Sequence, residues 1–118
     1  MKEDFSKNIC IVVRAMKERT VDVCEELLRS QAPSAVFERV GGKPFVETLA
    51  DSLKAGVASA REWTLCVDAD VFAFPGAVEA LWRDAQKLPE NFIEQHPVVL
   101  DRFFGGWRPA GVRIYRTA

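Results

Sequence analysis

The sequence predicts an α/β protein, a three-layer sandwich built on a mainly parallel sheet, and three observations carry that prediction. Short apolar runs alternate with amphipathic helical segments three times between residues 8 and 88. The first run, Ile9 to Val13, is continuously apolar and largely β-branched, as a strand covered on both faces must be. Pro33, Gly41-Gly42, Pro44 and Pro75 punctuate the boundaries between the segments. Strand, helix, strand, helix, strand, helix implies right-handed crossovers with helices on both faces of the sheet.

Each element has its own warrant. After Ile9-Cys10-Ile11-Val12-Val13, Thr20 is placed to cap a helix whose Val21, Cys24, Leu27 and Leu28 share one face. Asp22, Glu25, Glu26 and Arg29 take the opposite face, and Pro33 stops the helix. Ser34 to Val40 reads as the second strand, closed by Gly41-Gly42. Pro44 suits the first position of a longer helix, whose apolar stripe Phe45, Leu49, Leu53, Val57 and Ala60 is expected to face the core. Trp63 to Val67 is the third strand. Pro75 opens a third helix with Val78, Leu81, Trp82, Ala85 and Leu88 inward. Beyond residue 88, Val98 to Leu100 and Val112 to Arg116 read as a strand pair or hairpin around a Gly105-Gly106-Trp107-Arg108-Pro109 loop. The chain stops directly after that last strand, which reads as a truncated form of the fold.

The 118 residues fit a single domain, 1–118. Sixteen basic and seventeen acidic side chains nearly cancel, so no net field draws the chain to nucleic acid or an anionic membrane. The apolar runs are too short to span a bilayer, and the polar N-terminus lacks the core of a secretion signal, which makes the cytoplasm the expected location. Cys10, Cys24 and Cys66 each sit in apolar surroundings and read as small buried hydrophobes. The single histidine, His96, precedes Pro97 and reads as a surface residue. A homo-oligomer is compatible with these features.

The chemistry concentrates where the third strand runs into Asp68-Ala69-Asp70. Ligands of open parallel sheets bind beyond the carboxyl ends of the strands. In extended chain, residues two apart point the same way, so both carboxylates are expected to face one cavity. Neighbouring carboxylates repel and call for a compensating cation, for which magnesium or manganese, completed by water and substrate phosphates, is the natural choice. Such an ion would neutralise a diphosphate leaving group. The structural alternative is that the aspartates cap the next helix or end the sheet in solvent.

The segment Trp63-Thr64-Leu65-Cys66-Val67-Asp68-Ala69-Asp70-Val71, followed by Pro75-Gly76-Ala77, resembles the Asp-x-Asp region of family 2 glycosyltransferases. The opening strand, Arg14 near its end, and the helix ending in Leu27-Leu28-Arg29-Ser30-Gln31 are similar too, so the resemblance covers residues 8 to 88. It implies a GT-A fold and a nucleotide-diphosphate sugar donor, with an acceptor left unspecified. It further implies Mn2+ or Mg2+ ligated by Asp70, with Asp68 contacting the donor ribose or a metal-bound water. Arg14 and Glu38 fall where donor-nucleotide contacts are made, Glu38 standing in Phe-Glu-Arg-Val where the family has Asp-Asp-Gly-Ser. The family places its catalytic base after the Asp-x-Asp helix; here only about thirty residues follow, offering Glu94 and Asp101 in no recognisable motif.

Other candidates have ordinary readings. Lys17 and Arg19 join Arg14 in a basic cluster that a solvated loop also explains, and Lys43 lacks the spacing of a phosphate-binding loop. Arg61 precedes the third strand, at the far edge of the sheet. Trp107 could stack on a sugar or base, and Arg108, Arg113 and Arg116 could line a diphosphate; hairpin packing and a solvated strand explain them equally. Two rival functions stand beside the transferase. One is a non-catalytic or degenerate transferase-like binding domain. The other is a haloacid dehalogenase-type phosphatase, against which stand Phe72 in place of Thr or Val and a motif on the third strand rather than the first.

Overall fold

A computed structural model describes residues 4–89, 94–95, 98–101, 106–109 and 111–117. After a 3-10 turn at Phe5–Asn8, the chain runs β1 (Ile9–Ala15), α1 (Val21–Gln31), β2 (Val36–Gly41), α2 (Phe45–Ser59), β3 (Trp63–Asp68) and α3 (Ala77–Gln86). Four strands follow: β4 (Glu94–Gln95), β5 (Val98–Asp101), β6 (Gly106–Pro109) and β7 (Val112–Arg116). The main sheet has the order β2-β1-β3-β7-β4. β1 pairs in parallel with both β2 and β3, while β7 lies antiparallel between β3 and β4, so four strands run one way and one runs back. The α/β sandwich with a mostly parallel sheet is therefore present, with β1 and β3 at its centre.

The strand pair beyond residue 88 differs from expectation. Val98–Asp101 pairs with Gly106–Pro109, the stretch read as a loop, and Val112–Arg116 enters the main sheet beside β3. Pro109 and the turn residues around it suggested a loop, but a proline is tolerated at the end of a two-stranded edge ladder.

Side-chain alternation divides the sheet into two faces. Ile9, Ile11, Val13, Trp63, Leu65 and Val67 point to one side, where Cys24 and Leu28 of α1 and Val78, Leu81 and Ala85 of α3 complete the larger core. Cys10, Val12 and Cys66 point to the other, under α2. All three cysteines are buried and free, as their apolar settings predict.

Helix α2 reverses its expected orientation. The residues it buries are Thr48, Ser52 and Gly56, whereas Phe45, Leu53 and Val57 of the predicted inward stripe are exposed. Small residues let this helix approach the sheet closely: a Cβ on Gly56 would stand 2.6 Å from Thr64 Oγ1. The buried hydroxyls find acceptors within their own chain segment, Ser52 Oγ donating to Thr48 O at 2.9 Å and Thr48 Oγ1 to Lys43 O at 3.1 Å. The polar face of α2 thus packs with its own buried hydroxyls satisfied.

Candidate functional site at the carboxyl edge of the central strands

The parallel register places Arg14 beside Asp68 at the ends of β1 and β3. Paired residues of parallel strands project from the same face, and both side chains emerge on the α2 side. Arg14 Nη2 lies 3.0 Å from Asp68 Oδ1. The turn that follows is fixed from three directions. Asp68 N donates to Gly111 O at 2.7 Å, just before β7, and Ala69 N donates to Arg14 O at 3.0 Å. Thr20 Oγ1 donates to Ala69 O at 2.8 Å, so this residue serves the acidic turn rather than the start of α1, where it makes no side-chain cap.

The strand ends at Asp68. Val71 N donates to Asp68 O at 3.0 Å, closing a turn over Ala69 and Asp70. Extended-chain geometry therefore does not align the two carboxylates; the turn presents Asp70 to solvent while Asp68 stays half-buried. They remain within each other's field. Burial pushes the Asp68 carboxyl above its ordinary value; Arg14 pulls it down, and Asp70 and Glu18 add to the rise. Cys24, whose Sγ is 3.7 Å from Asp68 O, has its thiol pushed up to about 11, first by burial and then by the field of Glu25, Asp70, Asp68 and Glu18.

Glu18 is a residue the sequence reading missed, standing between Lys17 and Arg19 in what reads as a basic cluster. Burial alone would raise its carboxyl, but the amides of Met16, Glu18 and Lys17 together hold it below the usual range. Lys17 and Arg19 are exposed in the same loop. Among the described residues no three histidine, cysteine or acidic side chains are grouped closely enough to hold a metal ion unaided. A magnesium or manganese ion does not require such a cage, since one or two carboxylates suffice when substrate phosphates supply the rest. Asp70 and Asp68 are the two carboxylates that the turn brings to this edge.

Beside Arg14, between α2 and the sheet, lies a cleft of about 140 Å³ bordered by Leu49, Ser52 and Leu53 of α2 and by Cys66, Arg113 and Tyr115. Among the described residues, Arg14 Nε is buried without a hydrogen-bond acceptor. Arg113 thus joins Arg14 on one cleft, whereas Arg116 turns elsewhere, stacking over Trp63 at 4.6 Å and donating to Leu88 O. β7 and the glycine before it are contributions that no sequence motif announced.

The loop after the turn is also held. Gln31 Nε2 donates to Ala73 O at 3.2 Å and Phe74 O at 2.8 Å, and Gln31 Oε1 accepts from Val78 N at 3.0 Å. Val71 and Ala73 pack on the core, while Phe72 and Phe74 alternate with them and face solvent.

The remaining candidates lie apart. Glu38 is exposed on edge strand β2, level with Val12, which puts it two strands and two residues from Asp68. Lys43 pairs with Asp51 at 3.0 Å, and Arg61 donates to Lys7 O at the amino ends of the strands. His96 and the side chains of Glu94, Asp101, Trp107 and Arg108 lie outside the described residues.

No family model and no curated protein sequence matches the chain. Among solved structures, a glycosyltransferase involved in the glycosylation of the major capsid of PBCV-1 superposes with a TM-score of 0.53. The fold is similar to that of a glycosyltransferase. The superposition covers 91% of this chain at 16% identity, so the likeness concerns the fold alone. The chain spans 59% of that neighbour's length. No helix among the described residues is long and apolar enough to cross a membrane.

Proposed function

We propose that this chain binds a nucleotide-diphosphate sugar and forms the donor-binding part of a metal-dependent glycosyltransferase. The observation that carries the reading is the position of the Arg14–Asp68 pair and Asp70. They stand at the carboxyl edge of the two central strands of a glycosyltransferase-like fold, where ligands of such sheets bind. In this reading Asp70, exposed on its turn, ligates Mn2+ or Mg2+, and Asp68 contacts the donor ribose or an ion-bound water. The ion, when bound, would neutralise charge developing on the diphosphate leaving group. Arg14 pairs with the Asp68 carboxylate and, with Arg113, borders the cleft, where the two guanidinium groups favour an anionic donor. Thr20, Gly111 and the backbone of β1 hold the acidic turn in place before the donor arrives, which reduces the ordering cost of binding.

Titration calorimetry with uridine and guanosine diphosphates, each with and without manganese, tests the reading. Manganese-dependent binding that Asp70→Ala abolishes is the expected result. Absence of binding to either diphosphate under both conditions sinks it. A second reading is a non-catalytic transferase-like binding domain. It predicts nucleotide binding without sugar transfer or donor hydrolysis.

A further inference from the structure

The exposed face of α2 is the largest departure from the rule that an amphipathic helix hides its apolar stripe. Phe45 is 71% exposed, Val46 75%, Leu53 49% and Val57 68%, all along one 15-residue helix about 22 Å long. Single exposed apolar residues are ordinary, but a contiguous row of this length marks an interaction surface. We propose that α2 is a homodimer interface, in which two copies of this chain pack their α2 helices antiparallel about a two-fold axis beside Asp51.

The spacing of the row makes it self-complementary, as an isologous contact requires. Antiparallel packing centred beside Asp51 sets Phe45 opposite Val57 of the second copy and Leu49 opposite Leu53. The row at every fourth residue is also the ridge that packs most often into a neighbouring helix. Charge follows the same symmetry. Glu47 and Lys54, seven residues and two turns apart, lie on the same edge of the row, and both are exposed. Neither makes an ion pair among the described residues. In the two-fold arrangement equal edges meet, and Glu47 of one copy falls within one residue of the level of Lys54 of the other. Asp51 marks the level of the axis but projects from the other side of the helix, about 160° around from Leu53, where Lys43 pairs with it at 3.0 Å. Leu53 borders both the row and the cleft beside Arg14, so the second copy's helix would also wall the mouth of that cleft. The inference does not depend on the glycosyltransferase reading.

Sedimentation equilibrium over a wide concentration range, with circular dichroism to confirm folding, tests it. The wild-type chain is expected to associate reversibly to dimers. Leu53→Lys should weaken association about tenfold or more, as loss of an interface anchor does. Glu47→Lys and Lys54→Glu should each weaken it, and the double reversal Glu47→Lys/Lys54→Glu should restore it. A monomer at every concentration, association indifferent to Leu53→Lys, or a double reversal no stronger than either single variant would each overturn the proposal.

Discussion

Arg14 and Asp68 meet across the parallel β1–β3 pair with their side chains 3.0 Å apart, and Arg14 O accepts from the N–H of the next residue, Ala69. The pair answers the electrostatic problem that two nearby carboxylates pose, since a fixed guanidinium offsets one of them from within the protein. Its side chains are 14% and 44% exposed, so the interaction is screened on one side only. A double-mutant cycle of Arg14→Met and Asp68→Asn, followed by urea unfolding, should give a coupling of about 1 kcal/mol. A coupling indistinguishable from zero would show that the pair is incidental to the fold.

Gly111 holds Asp68 from the other side, its carbonyl accepting from Asp68 N. Its φ of +72° lies in the left-handed region, and a Cβ there would stand 2.9 Å from Val71 Cγ2 and 3.3 Å from Asp68 Oδ2. Gly111→Ala combines backbone strain with crowding of the acidic turn, and a loss of about 1–3 kcal/mol is expected. Thermal unfolding should register the destabilisation, and nucleotide-diphosphate binding should weaken beyond what the lost folded fraction explains. An unchanged melting temperature would show that the turn relaxes freely.

The loop carrying Phe72 and Phe74 depends on one side chain from another element. Gln31→Ala removes two donors and one acceptor at once and should cost about 1–3 kcal/mol. Gln31→Glu keeps the acceptor for Val78 N, loses both donors, and sets a carboxylate against two carbonyl oxygens. The glutamate variant should therefore recover little of the stability that alanine loses. Comparable stability of Gln31→Glu and wild type in urea would remove the clamp from the account.

Much of the framework was legible because it follows from period and punctuation. The continuous run at Ile9 to Val13 gave a two-sided strand, Pro33 and Pro44 bounded the helices, and the strand before Asp68 placed the triplet at a carboxyl edge. What was hidden arises from long-range pairing. Nothing near Val112 says that it lies beside β3 rather than in a hairpin with Val98, because strand partners are chosen by register and burial across the whole chain. Glu18 was hidden by its basic neighbours, and only folding brings its loop toward Asp68. The turn at Ala69 likewise replaced the extended geometry assumed for the two aspartates, closed by Val71 N and held by partners from β1, Thr20 and Gly111 that no local pattern reveals.

Helix α2 shows the limit of periodicity most directly, since Phe45-Leu49-Leu53-Val57 and Thr48-Ser52-Gly56 both repeat at helical spacing. Hydrophobicity favours the first set as core, but closeness of approach selects the second. Gly56→Ala places a methyl 2.6 Å from Thr64 Oγ1 and should cost about 1–3 kcal/mol through overpacking. Val57→Ala, on a side chain 68% exposed, should change the stability of the monomer by no more than about 0.5 kcal/mol. The reverse order of effects in dilute samples would restore the orientation that hydrophobicity alone suggests.

Glu25 of α1 grips Arg39 of β2 with two hydrogen bonds, Oε2 to Nε at 2.7 Å and Oε1 to Nη2 at 2.6 Å, while Asp22 adds a third contact at 3.3 Å. Those bonds to Arg39 hold the Glu25 carboxyl below its ordinary value of 4.5, against an opposing push from burial. A depressed carboxyl stabilises the folded chain above its unfolded value, and that contribution is lost as pH falls through the folded one. Glu25→Gln should therefore be less stable than wild type by about 1 kcal/mol at pH 7, a bidentate pair on a partly shielded site. The gap should narrow steadily as the buffer is taken below pH 4.5, because wild-type Glu25 is then progressively neutralised as well. Urea unfolding at neutral and acid pH measures both arms; a gap that stays constant or widens in acid would mean that Arg39 does not act on Glu25 through its charge.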